Sequence, residues 1–203
     1  MRVIAGKYRS RPLRSLQGMD IRPTSDRLRE TLFNVLSPGN PSGLEGTVWL
    51  DLFAGTGAVG IEALSRGAKQ VYFVESSRAA AEVIQKNLKS LGITAGFRIL
   101  REEVAGALRS AEREGVCADI VFLDPPYRRK DAYRRTLLAL ARSAVIPSTS
   151  VMIAEHEKQF DPGEEFGSLQ RFRKLVQGSA ALSFYRKDGA KNISESGVAP
   201  DQE

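Results

Sequence analysis

Apolar and polar positions alternate with two different periods along this chain, and the change from one to the other marks its organisation. Residues 1–20 interleave basic positions with Val3, Ile4, Tyr8, Leu13 and Leu16, a pattern expected of a short hairpin or irregular strands carrying a basic arm. Arg22-Pro23-Thr24-Ser25-Asp26 then has the form of a helix entry. Thr24 or Ser25 serves as N-cap, and Asp26 suits the positive end of the helix. Leu28, Leu32, Val35 and Leu36 follow at i, i+4, i+7 and i+8, one apolar face, and Pro38-Gly39-Asn40-Pro41 stops the helix.

From residue 47 short apolar runs alternate with helical patterns. Val48–Phe53, Val71–Glu75, Phe97–Leu100, Ile120–Leu123 and Val151–Ala154 read as buried strands. Helices are expected from the glycine-rich turn after Phe53 to Gly67, over 77–91, over 103–114 and through Leu137, Leu138 and Leu140. In the second of these Ala80, Ile84, Leu88 and Leu91 face inward, and Gly92 forms the C-terminal stop. Two last strands, around 170–176 and 180–187, are close enough to pair as a hairpin. Repeated βα units predict an α/β, Rossmann-like fold. The expected sheet is mostly parallel and seven-stranded, with an antiparallel C-terminal hairpin and a small N-terminal extension.

Composition narrows the classes. At 203 residues, 42% hydrophobic and 27% charged, the chain suits one globular domain with a short appendage. No apolar run approaches the roughly 18 residues of a membrane span, and the N-terminus has no signal-peptide core. One cysteine, Cys117, excludes an internal disulfide framework and a cysteine metal cluster; one histidine, His156, argues against a His-rich zinc site. No metal and no membrane are expected, and the protein is expected to be cytoplasmic and monomeric.

The net charge of +6 is unevenly spread. Residues 1–30 carry Arg2, Lys7, Arg9, Arg11, Arg14, Arg22, Arg27 and Arg29 against Asp20, Asp26 and Glu30. An arginine-rich arm suits phosphate oxygens, because the guanidinium is a rigid fork of donors; a solubilising surface is the alternative. Residues 188–203 are acidic, small and polar, and are expected to be a disordered tail.

The chemistry concentrates in two turns. Asp51-Leu-Phe-Ala-Gly55-Thr-Gly57-Ala-Val-Gly60 follows the first strand. Its glycines let the backbone turn tightly and approach a ligand at the next helix N-terminus. Glu75 ends the second strand, where an acid can bind ribose hydroxyls. GTGAVG also matches the dinucleotide fingerprint, or a tight turn with no ligand. Asp51 shifts the balance, since a carboxylate there repels a pyrophosphate and favours an ammonium or sulfonium ligand. S-adenosylmethionine carries both charges and a ribose. An ordinary solvent-facing strand end is the alternative for Glu75.

The second turn, Asp124-Pro125-Pro126-Tyr127, follows the fourth strand at the edge where open α/β sheets bind ligands. Two prolines rigidify it and remove two donors. What remains are acceptors, the Asp124 carboxylate and the Pro125 carbonyl, which suit an exocyclic amino group. Tyr127 offers a π face for a flipped base, worth about 1–3 kcal/mol. A proline-terminated strand with a packing tyrosine is the plainer alternative.

Together these residues resemble class I S-adenosylmethionine-dependent methyltransferases acting on exocyclic amines of bases. With Arg2–Leu13, Arg22–Asn34 and Asp51–Ala68 added, the chain is similar over about residues 1–187 to the bacterial 16S rRNA guanine-N2 methyltransferases that act at guanine 966. The resemblance implies that Asp51, Phe53, Gly55 and Gly57 hold the methionine part of S-adenosylmethionine and Glu75 its ribose. Glu103, with Glu102 adjacent, would reach the adenine. Asp124, also beside the cofactor, would hold the target guanine with Pro125 and Tyr127. Arg2, Lys7, Arg9, Arg11, Arg22, Arg27 and Arg29 would grip 16S rRNA within a small ribosomal subunit or an assembly intermediate. It also implies a basic RNA-binding extension over 1–40 and a methyltransferase domain over 41–187.

Three rivals remain. An adenine-N6 DNA methyltransferase would use the same turn, but the chain has no evident target-recognition domain. A nicotinamide-dependent dehydrogenase accounts for GTGAVG and Glu75 but not for Asp51 or DPPY. A non-catalytic RNA-binding protein would keep the arm alone. His156, Cys117 and Trp49 are expected to be structural, the last two as core residues.

Overall fold

The computed structural model describes residues 1–15, 25–40, 42–126 and 128–188. Arg22 and Tyr127 lie outside them, as does the expected acidic tail after Asp188. After an N-terminal hairpin the order is α1 (Asp26–Leu36), β1 (Val48–Leu52), α2 (Ala58–Ser65), β2 (Gln70–Val74), α3 (Arg78–Ser90), β3 (Phe97–Leu100), α4 (Val104–Arg113), β4 (Ile120–Leu123), α5 (Lys130–Arg142), β5 (Val151–Glu157), β6 (Glu165–Phe166), β7 (Leu169–Gln177) and β8 (Ala180–Lys187).

One sheet runs in the order β3-β2-β1-β4-β5-β8-β7-β6. The first five are parallel and the rest antiparallel. This is the expected Rossmann-like arrangement with one strand more, the two-residue β6, which is too short to leave a periodic signal. Because β1 to β5 are parallel, the segments that leave them all emerge at one edge of the sheet, and that edge carries the site.

The strands are covered on both faces by side chains that alternate along them. Trp49, Phe73, Phe122 and Ile153 pack with Leu32 and Phe33 of α1, Ile61 of α2, and Ile84 and Leu88 of α3. Leu50, Leu52, Val121 and Leu123 pack on the other face with Val104 and Leu108 of α4 and Leu137 and Leu140 of α5. Trp49 is fully buried, as expected of a core residue. Cys117 is not: it is exposed, in the connection before β4. The neighbouring Ala118 takes the buried position there.

The N-terminal residues form the expected hairpin, with an antiparallel bridge between Arg2 and Pro12 and backbone bonds Val3 N–H to Arg11 and Ser10 N–H to Val3. Val3 and Leu13 belong to the same core as Trp49 and α1. The hairpin is stapled to α2. The Glu62 carboxylate accepts the Ile4 and Ala5 N–H groups at 2.8 and 2.9 Å, and Ser65 O accepts the Lys7 N–H at 2.7 Å. Gly6 is required by this approach, since a Cβ there would meet Ser65 O at 1.9 Å. Among the described residues no helix is long and apolar enough to cross a membrane.

Candidate functional site

The first turn of the site is built around Asp51. Gly57 is the N-cap of α2 and has no side chain to cap it. Asp51, buried in β1, accepts the Gly60 N–H at 2.9 Å in its stead. The intervening backbone is left-handed at Phe53, Gly55 and Gly57, with φ of 61°, 54° and 76°. A left-handed phenylalanine costs on the order of 1–2 kcal/mol, so the turn is held by its surroundings. Gly57 and Gly60 answer to packing: a Cβ on Gly60 would lie 2.3 Å from the Phe73 ring.

Glu75, just past β2, fixes the other side of the turn. It accepts the Gly55 N–H at 2.9 Å and the Ser77 N–H at 2.8 Å, and it stays partly exposed. Asn87 of α3 holds the turn from behind. Its amide nitrogen donates to Thr56 O at 3.0 Å and to Arg14 O at 3.2 Å, and its oxygen accepts the Arg14 N–H at 2.8 Å.

The second turn lies beside the first because β4 pairs with β1. The Leu52–Leu123 register ends the ladder, and the Asp124 N–H reaches Leu52 O at 3.4 Å. Pro125 is buried and its carbonyl lies 3.5 Å from the Tyr133 hydroxyl, which donates to Glu155 O at 2.8 Å. Glu155 is buried on β5, one step beyond the Leu123–Ala154 pair. Asp51, Asp124 and Glu155 therefore come from three adjacent strands at the same edge.

Their electrostatics follow from crowding. Burial pushes the Asp51 carboxyl up to about 8, with Glu75 adding to the rise and the Gly60 N–H opposing it. Burial, then Glu155 and Asp51, raise Asp124 well above the ordinary carboxylate range. A cationic group brought beside Asp51 and Asp124 would ionise them again. The fit to a ligand with sulfonium and ammonium charges rests on this arrangement. Glu103, exposed at the N-cap of α4 past β3, stands at the same edge.

The sequence brings Asp51, Phe53, Gly55, Gly57, Glu75, Glu103, Asp124 and Pro125 to this edge. It did not single out Glu155, although an acid at the end of the strand next to the DPPY strand was a usable signal. Nor did it single out Asn87 or Glu62. His156 is a structural residue: its ring nitrogens meet Ser183 Oγ and Glu157 O, both at 2.9 Å, and burial holds its pKa down.

Arg2, Lys7, Arg9, Arg11 and Arg27 are exposed on the hairpin and α1. Arg29 is a correction. It shares the buried face of α1 with Leu28, Leu32 and Phe33, and is 0% exposed. It donates to Arg2 O and to Asp26 Oδ1 at 2.9 Å, with its Nε 3.9 Å from Glu62. It joins the hairpin, α1 and α2 from inside and has no surface to offer a phosphate.

A model of the family described as conserved hypothetical protein 95 matches residues 1–186. Ribosomal RNA small subunit methyltransferase D of Escherichia coli (strain K12) is 32% identical over 188 residues, covering 93% of this chain and 90% of that protein. The solved structure of the Escherichia coli protein yhhF is similar with a TM-score of 0.77 at 30% identity, over 93% of this chain and 98% of that one. SMU.776, solved in complex with SAH, shares the fold at a TM-score of 0.63 and 15% identity, over 82% of this chain and 50% of that one.

Proposed function

The chain belongs to the conserved hypothetical protein 95 family, and on that footing we propose that it transfers a methyl group from S-adenosylmethionine to the exocyclic N2 of a guanine in 16S rRNA, the position of guanine 966. The observation that carries this reading is the juxtaposition of two turns. The Asp51 glycine turn and the Asp124-Pro125-Pro126 turn leave neighbouring parallel strands and meet at one edge. The first sets an acid that a cationic nucleoside cofactor would ionise at a tight glycine turn before a helix, and the second presents acceptors for an amino group.

S-adenosylmethionine supplies an electrophilic methyl group on a sulfonium centre. Asp51, Phe53, Gly55 and Gly57 are the residues to hold its methionine part, Glu75 its ribose and Glu103 its adenine. Glu75 bears on the turn twice, since it also fixes Gly55 and Ser77.

Guanine N2 is a poor nucleophile because its lone pair is delocalised into the ring. A base flipped out of its stack can set its amino N–H groups on Asp124 and the Pro125 carbonyl. Those acceptors would stabilise the positive charge that develops on nitrogen as the methyl–sulfur bond breaks, a neutral thioether leaving and one N–H proton passing to Asp124 or to solvent. Fixing the amine for attack would lower the barrier by roughly several kcal/mol. Tyr127 would stack on the base. Arg2, Lys7, Arg9, Arg11, Arg22 and Arg27 would hold the RNA backbone of a small subunit or assembly intermediate.

The test is transfer of labelled methyl to total rRNA, protein-bound small subunits and duplex DNA, followed by nucleoside analysis. N2-methylguanine in small-subunit rRNA is the expected product. Label in DNA adenine, or no transfer together with no cofactor binding, overturns the reading.

A further inference from the structure

Between the N-terminal hairpin and α1 lies a pocket of about 460 Å³, lined among others by Arg2, Arg9, Arg27, Arg66, Glu30 and Asn34. Its walls are not equivalent. Arg66 is committed to Glu62 at 2.8 Å and stacks over the Phe33 ring. Arg2 lies 3.7 Å from Asp26, which also lines the pocket. Arg9, on the hairpin, and Arg27, in the first turn of α1, are exposed, and neither pairs with an acid among the described residues. Two guanidinium groups that pair with no acid among the described residues thus bound the pocket from different elements.

Arg27, Glu30 and Asn34 form a stripe along α1 at i, i+3 and i+7, opposite the buried stripe of Leu28, Arg29, Leu32 and Phe33. A surface that only gripped phosphates would gain nothing from a carboxylate and an amide between arginines. Those two groups are the donor and acceptor set that reads a base edge: a carboxylate accepts from exocyclic amino and ring N–H groups, and an amide both donates and accepts. The volume falls in the range of small-ligand sites and admits one nucleotide. Sequence-specific RNA recognition works on unpaired bases splayed out in this way.

We propose that this pocket is a second nucleotide subsite, taking one unpaired nucleotide of the substrate RNA outside the target guanine. Arg9 and Arg27 hold its phosphate, and Glu30 and Asn34 read its base. The inference rests on the rRNA reading above. The pocket is fixed relative to the methyl-transfer edge, because Glu62 binds the hairpin backbone to α2 and α2 begins at the glycine turn. It therefore measures a set spacing along the RNA, and it helps select the guanine that is methylated.

The experiment uses the full chain with small-subunit rRNA randomised within a few nucleotides of the methylated guanine, assembled into particles, and the methylated products are sequenced. The wild type is expected to discriminate at one flanking unpaired position by roughly 5- to 100-fold. Glu30→Gln combined with Asn34→Ala should flatten that position alone and leave cofactor binding unchanged. Arg9→Ala and Arg27→Ala should each weaken RNA binding at every sequence and lower the salt slope by about 1. These side chains are exposed, and equal thermal melts establish that the variants fold. If the wild type methylates RNA while all variants share its preference and affinity, the subsite is overturned. If only the salt slope moves, its base-reading role is overturned. If the wild type methylates no RNA, the rRNA reading falls, and the subsite with it.

Discussion

The Asp51 carboxyl on β1 closes the first turn of α2 from outside the helix, its Oδ2 accepting the Gly60 N–H at 2.9 Å. A helix start leaves amide donors unsatisfied, and Gly57 has no side chain for them. Asp51, nine positions before Gly60, takes that work, so the cap and the proposed cofactor-facing acid are one group. The arrangement buries a carboxyl beside Glu75 and leaves it ready for a positive charge.

Asp51 is expected to make stability and cofactor affinity depend on pH in opposite directions. Its folded pKa of about 8 lies above the ordinary 3.8, so between these values the folded state binds more protons. Without ligand, stability is expected to fall as pH rises from about 4 to 8, by at most about 1.4 kcal/mol per unit from this group. S-adenosylmethionine affinity should rise over the upper part of the same window. Asp51→Asn keeps an acceptor for Gly60 and should flatten both trends. Urea titrations and calorimetry at pH 5–8 check this, and unchanged slopes would exclude Asp51 as their source.

Asp124→Ala is expected to lower methyl transfer by on the order of 10²–10³-fold, with cofactor affinity kept within a few-fold. Single-turnover rates beside equilibrium binding separate the two effects. Full activity in this variant removes the DPPY turn from the chemistry.

Glu75→Ala removes the acceptor of Gly55 and Ser77 N–H groups and the proposed ribose contact. Cofactor Kd should rise about 10- to 100-fold, from charge-assisted hydrogen bonds of about 1.5–3 kcal/mol, while the rate at saturation changes little. A loss confined to the saturated rate would place Glu75 elsewhere in the cycle.

Asn87→Ala strands the Thr56 carbonyl and both backbone groups of Arg14. It should cost about 2–3 kcal/mol in chemical denaturation and raise the KM for S-adenosylmethionine, because Thr56 lies between the two glycines of the turn. A stability loss with no change in KM would make Asn87 a framework residue only.

Arg29→Met should cost roughly 3 kcal/mol, the scale of breaking a buried ion pair, and leave the salt dependence of RNA binding unchanged. A lower salt slope in this variant would restore Arg29 to the RNA-facing surface. Arg29 also shows where a count of charges misleads. Its position on α1 reads as one more base in a basic segment, yet the buried stripe includes residue 29, and Asp26 and Glu62 compensate its charge.

The sequence by itself determined the order of βα units, the glycine turn, and the edge at which Asp51, Glu75, Glu103 and Asp124 stand. Apolar period and turn chemistry are local, and parallel βα connections put every strand end on one side. Only the tertiary structure decided that Glu155 joins Asp51 and Asp124, that Glu62 staples the hairpin across 58 residues and Asn87 across 73, that Cys117 faces outward, and that β6 exists. Those outcomes depend on which distant segments pack together, and hydrogen bonds between residues so far apart leave no period in the chain for a reader to find.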